Sequence, residues 1–118
     1  MITIKLLYYD LDKFHKELNK IGNTKFKLRI LVDLQEIENG NADDIDSKNL
    51  GDGIFELRFG LGNNEYRVLY FYDKNIKSTI ILSHGFIKKS KKTPKNELNR
   101  AKKIRNQYYK SGIKKSNF

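Results

Sequence analysis

Between Gly53 and Ile87 the apolar residues recur every second position, and this constrains the fold more than any other feature of the chain. In GIFELRFG, Phe55, Leu57 and Phe59 point one way from an extended backbone, while Ile54, Glu56 and Arg58 point the other. GLGNNE carries the glycine and asparagine of a hairpin turn. In YRVLYFY (66–72), Arg67, Leu69 and Phe71 oppose Tyr66, Val68, Tyr70 and Tyr72. DKNIK turns the chain again, and STIILSHGFI (78–87) reads as a third strand. Three such segments with short turns predict an antiparallel meander, apolar enough in its middle to need cover on at least one face.

The flanks supply that cover. Residues 2–9, ITIKLLYY, read as a strand. Asp10 is placed to cap a helix over 11–20, with Leu11, Phe14 and Leu18 on one stripe and Gly22 as its stop. Asn23 or Thr24 can cap a second helix over 25–38, whose stripe is Phe26, Ile30, Leu34 and Ile37, with Gly40 beyond its end. The acidic, glycine-punctuated segment 41–53 reads as a loop with room for a short strand at Lys48–Leu50. Thr93 as N-cap with Pro94 at the first helical position predicts a last helix from 94 to about 110. Its apolar stripe is thin and its other faces are basic; residues 111–118 read as a frayed tail. The expected fold is a single α+β domain over 1–118. A first strand and a helical hairpin pack on a twisted antiparallel sheet, followed by a basic C-terminal helix.

Charge placement narrows the partners. The chain has 118 residues and a formal net charge of +10. Residues 88–118 hold 12 Lys and Arg against one acid, Glu97, whereas residues 1–87 hold 12 bases against 13 acids. An excess concentrated in one quarter of the chain points to a polyanion, although a solubilising basic tail has the same composition. With no cysteine, disulfides and thiolate metal sites are excluded. His15 and His84 stand too far apart for a metal motif, and no cofactor is expected. No apolar run is long enough to span a bilayer, and MITIKLLYYD lacks signal-peptide features, so a soluble cytoplasmic protein is expected.

The chemically interesting residues are cationic. Arg58 and Arg67 lie on adjacent strands flanking one hairpin. Each alone could face solvent or pair with Glu56 or Glu65, but together they suit phosphate, because a guanidinium bonds two oxygens at once. Lys88, Lys89, Lys91 and Lys92 crowd the end of the third strand, just before a helix N-terminus that itself attracts phosphate. A solvated loop would look the same by composition. His84, alternating with Leu82 and Phe86, reads as packed and also as a candidate acid or base; His15 reads as structural. No nucleophile motif, P-loop or carboxylate pair is present. RNA cleavage needs none of these, because the substrate's own 2′-hydroxyl attacks the phosphate. The protein must orient the chain, move protons and stabilise developing charge.

At this point a resemblance emerges. LGDGIFELRF (50–59), EYRVLYFYDK (65–74) and IILSHGFIKKSKKTPKNELNRAKKIRNQYY (80–109) resemble the RelE/ParE toxin superfamily, and most of all its HigB-like branch in type II toxin–antitoxin systems. The resemblance implies a ribosome-dependent mRNA endonuclease that inhibits translation without a metal. It also implies a complex with a helix-turn-helix antitoxin, and ribosome and mRNA as targets. Carried over by position, Arg58, Arg67, Lys88 and Lys92 take catalytic roles, with His84 as a further candidate. Lys48, Lys89, Lys91, Lys95, Lys102, Lys103 and Tyr108 become candidate RNA contacts. Lys91 stands where glutamine is frequent, and no histidine occurs near the C-terminus, so proton transfer is unassigned, with Tyr108 or Tyr109 as options. The superfamily also holds toxins that inhibit DNA gyrase, and a non-catalytic nucleic-acid-binding module is a third reading.

Overall fold

The computed structural model describes residues 4–41, 45–88 and 91–114. In chain order the elements are β1 (Lys5–Tyr8), α1 (Leu11–Leu18), α2 (Thr24–Glu38), β2 (Asp46–Gly51), β3 (Ile54–Leu61), β4 (Asn64–Tyr72), β5 (Thr79–Ile87) and α3 (Lys95–Ser111). The strands form one sheet in the order β1-β5-β4-β3-β2. The predicted meander is β3–β4–β5, and the short strand foreseen around Lys48 is β2, paired antiparallel with β3. The sheet departs from the antiparallel expectation at one edge, where β1 runs parallel to β5. From that edge the chain crosses through α1 and α2 to the opposite edge. Alternation within a strand says nothing about the direction of its neighbour, so this detail was not readable locally.

The helices start where their caps dictate. Asp10 Oδ1 accepts from Lys13 N at 3.1 Å, and Asn23 Oδ1 accepts from Phe26 N at 3.0 Å, so Asn23 rather than Thr24 opens α2. Gly40, with φ +84, takes the left-handed conformation that ends α2. Phe14 and Leu18 of α1, with Phe26, Ile30, Leu34 and Ile37 of α2, are buried on one face of the sheet against Leu57, Phe59, Tyr66, Val68, Tyr70, Ile80 and Leu82. Each such side chain, fully buried, contributes about 1.5–3 kcal/mol. Tyr66 lies directly over Gly85: a Cβ there would fall 2.2 Å from the phenol oxygen, so this pairing needs glycine.

The opposite face is covered by α3. Here Ile54, Leu69, Phe71, Ile81 and Ala101 form a smaller core. A register shift between Leu69 and Tyr70 sets Leu69 opposite His84 and Tyr70 opposite Leu82, leaving Ser83 as an extra residue. His84 and Phe86 therefore face α3 while Leu82 faces the helical hairpin, which corrects the simple alternation expected of these three.

Two further expectations change. Thr93 does not cap α3: Pro94 holds that position without a side-chain cap bond, and the Thr93 hydroxyl donates elsewhere. The tail is not wholly frayed, because Ser111 is helical and Lys114 N donates to Tyr9 O at 2.8 Å. The end of the tail, 115–118, lies outside the described residues.

Candidate nucleic-acid interface

Strand register builds the candidate site on the α3 face. Arg58 and Arg67 are direct cross-strand partners, Arg67 pairs onward with Phe86, and Asp46 pairs with Arg58. One step along, Lys48 lies opposite Glu56 and Glu56 opposite Leu69. Like charges placed directly opposite each other destabilise a sheet, so two adjacent arginines require compensation.

Glu56 provides it. Its side chain is 0 % exposed. Oε1 accepts from Arg58 Nε at 2.9 Å, and Oε2 accepts from the Thr93 hydroxyl at 2.5 Å and lies 3.5 Å from an Arg67 terminal nitrogen. One carboxylate thus ties β3, β4 and the segment leading into α3. A buried charge persists only when paired and hydrogen-bonded, and both conditions hold here.

The two arginines have different environments. The Arg67 side chain is 4 % exposed. Its guanidinium donates to Lys91 O at 3.1 Å and Thr93 Oγ1 at 3.4 Å, so its fork is filled by the protein. The Arg58 side chain is 31 % exposed and uses Nε for Glu56. Its two terminal nitrogens make no hydrogen bond among the described residues. Arg67 is therefore built to hold the basic segment down, and Arg58 to reach outward from a fixed base.

The lysines sort in the same way. Lys88 Nζ lies 2.6 Å from Glu65 Oε2, and its backbone N donates to Glu65 O. The hydrogen bond from Lys88, with help from Arg67 and Arg58, holds the Glu65 carboxyl below its ordinary range. Lys91, Lys92 and Lys95 are exposed on the segment that Arg67 and Thr93 pin, and Lys48 is exposed beside Glu56 on β2. Lys89 lies outside the described residues.

Other expected residues are positioned elsewhere. Lys102 reaches Asp52 at 2.7 Å and Arg105 donates to Asp52 O, docking α3 on the β2–β3 turn. Gly53 has φ +79, the left-handed backbone conformation that favours glycine in this turn. The Tyr108 hydroxyl donates to Asp73, and that of Tyr109 to Tyr72 O. Arg67 and Tyr72 are five residues apart on β4, about 17 Å at ~3.4 Å per residue, so both tyrosines lie at the far end of the sheet. His84 bonds Ser83 Oγ through Nδ1, with Nε2 3.3 Å from Glu97 Oε1 but outside hydrogen-bond geometry. Burial first, then Arg100 and Lys13, press its pKa down to about 3, leaving it neutral. Lys103 lies with His84 around a cavity between α1, β5 and α3.

Sequence reasoning offers Glu56 as a mere partner for a strand arginine and Thr93 as a helix cap. Their joint role rests on a contact spanning 37 positions. The one available signal is a carboxylate on the same strand face as Arg58 and Arg67. Among the described residues no helix is long and apolar enough to cross a membrane.

One protein family matches most of the chain. The family model described as "Phage derived protein Gp49-like (DUF891)" matches residues 11–106, from the first helix through most of the last. A search of curated proteins gave no match. The chain belongs to the Gp49-like family, a family of RelE/HigB-type toxins of toxin–antitoxin systems.

Proposed function

We propose that the chain is a HigB-like toxin that cuts mRNA on the ribosome and so halts translation. The observation that carries this reading is the Arg58–Glu56–Arg67 arrangement beneath the lysine-bearing entry to α3. Arg58 has terminal donors available for one phosphodiester, and a fixed carboxylate behind it keeps it from swinging away. Donors fixed in advance stabilise the charge that develops on phosphorus-bound oxygens, because no reorganisation is needed during reaction. Arg67 acts as a positioning residue, holding Lys91 and Thr93 in place rather than touching RNA. Lys88, Lys91, Lys92 and Lys95 extend the positive surface along the RNA backbone, and Lys48 borders it on β2. The attacking group is the RNA 2′-hydroxyl: it gives up its proton as its oxygen bonds to phosphorus, and the departing 5′-oxygen takes up a proton from solvent, giving a cyclic phosphate and a free 5′-hydroxyl. His84, neutral and tied to Ser83, takes no part in that transfer.

Family membership implies an antitoxin partner; the helix-turn-helix type follows from the HigB-like reading. The test is a translation extract supplied with intact message and purified toxin. Cut mRNA that appears only with ribosomes present is the expected result. Intact mRNA with arrested gyrase instead would overturn the reading in favour of the gyrase-directed toxins.

A further inference from the structure

A second site lies on the other flank of α3. A cavity of about 480 Å³ opens between α1, the Ser83–Gly85 stretch of β5 and the C-terminal half of α3. This is within the ~300–1,000 Å³ typical of small-ligand pockets. Its walls are fixed to each other: Arg100 of α3 reaches Glu17 of α1 at 3.1 Å, and Lys114 N donates to Tyr9 O at 2.8 Å across one end.

The lining is chemically unbalanced. His84, 4 % exposed, lines the cavity with its ring oriented by the 2.7 Å contact with Ser83 Oγ, while its Nε2 lies 3.3 Å from Glu97 Oε1 outside hydrogen-bond geometry. The acids of the lining are already engaged, Glu17 by Arg100 and Asp10 by Lys13 N and Lys114. Lys13 and Lys103 make no salt bridge among the described residues. Phe14 and Ile104 supply apolar surface. Two exposed lysines with no acid partner among the described residues, the edge of a buried imidazole and a small apolar surface therefore meet around one cavity.

We infer that this cavity binds a small organic anion, a carboxylate or phosphate monoester carried on an apolar body, with Lys13 and Lys103 on the charge and the His84 ring in the wall beside Phe14 and Ile104. The inference is independent of the RNA reading, because Arg58, Glu56 and Arg67 are not among the residues that line this cavity.

The test uses the full chain, titrated with phenyl phosphate, benzoate and inorganic phosphate while the His84 ring signals are followed by NMR. At least one of the two aromatic anions should saturate with Kd near or below ~1 mM, and should shift the His84 signals. Inorganic phosphate should bind at least about tenfold more weakly. The double variant Lys13→Gln/Lys103→Gln should lose about tenfold in affinity for the aromatic anion while melting as the parent does. Three results would overturn the inference: no saturable binding of either aromatic anion, equal binding of inorganic phosphate, or affinity unchanged in the double variant. Messenger RNA cleavage by the same preparation reports separately on the proposed function.

Discussion

The two faces of the sheet are made by the same strands, yet they solve different problems. Under α1 and α2, the strand residues facing inward are apolar for most of their length, from Leu57 and Phe59 through Val68 to Ile80 and Leu82. Under α3, apolar cover is limited to Ile54, Leu69, Phe71 and Ile81, and the same face carries Glu56, Arg58, Arg67 and His84. The first face gains stability from area alone. The second retains polar groups that are costly to bury unless paired or hydrogen-bonded. Replacing such groups by well-packed apolar residues is often neutral or stabilising, so their presence points to a role other than stability.

The largest effect should come from breaking the polar face. Arg67→Ala leaves Glu56 buried with only Arg58 and Thr93, and should lower unfolding free energy by about 3–5 kcal/mol, measured by urea denaturation. Toxicity and fold should both suffer. A loss under ~1 kcal/mol would show that the network is solvated.

Acidification should weaken the same face. In the unfolded chain His84 protonates near 6.5, whereas in the fold it resists until about 3. Between those values the unfolded state holds more protons, so stability is fully present above pH 6.5 and is lost as pH falls through the window. The loss from pH 7 to 4 is at most about 3 kcal/mol. Glu97, raised by burial with Glu17 also raising it and Arg100 opposing, works in the opposite sense, favouring the fold at low pH. Lys13 and Glu17 of α1 and Arg100 of α3 complete the surrounding charges. His84→Gln should flatten the slope between pH 7 and 4; an unchanged slope would assign it to other groups.

Thr93→Val tests the link between faceted chemistry and the α3 entry. It removes one donor to a buried carboxylate and should destabilise by about 1.5–3 kcal/mol in the same denaturation assay, with a larger effect on activity than on fold. On the apolar face, Ile30→Val should cost about 0.5–1.5 kcal/mol and leave activity unchanged. If Ile30→Val impaired activity as strongly as Thr93→Val, the division of labour between the two faces would fail.

Legibility in the sequence followed the same division. The apolar face was readable because its signal is periodic: the stripe Phe26–Ile30–Leu34–Ile37 and the alternation Phe55–Leu57–Phe59 each state which side is inside. The site was half readable. Arg58 and Arg67 stood out as arginines in adjacent strands flanking one hairpin, and their register makes them direct partners on one face. That Arg67 is buried and Arg58 outward depends on which segment crosses above them, a contact between β4 and residues 91–93 that no local pattern encodes. Thr93 carries two signals, a helix cap and a hydroxyl donor, and the buried carboxylate won because it had a desolvated charge to satisfy. The turn of His84 toward α3 depended on an extra residue in β5, and bulges leave no fixed residue signature. The docking of Tyr108, through aromatic and hydrogen-bond contacts with Phe71 of β4 and Asp73 after it, depends on how α3 packs across the sheet, which its thin apolar stripe leaves open.

The central claim is that Arg58, aimed by Glu56, meets the RNA phosphate. The direct measurement is the single-turnover cleavage rate of ribosome-bound mRNA by Arg58→Ala beside the parent, with urea denaturation of both. Arg58→Ala should cut about 10²–10³-fold more slowly, while losing about 1.5–3 kcal/mol of stability with the donor taken from buried Glu56 and remaining folded in buffer. An Arg58→Ala protein that folds and cuts at the parent's rate would contradict it.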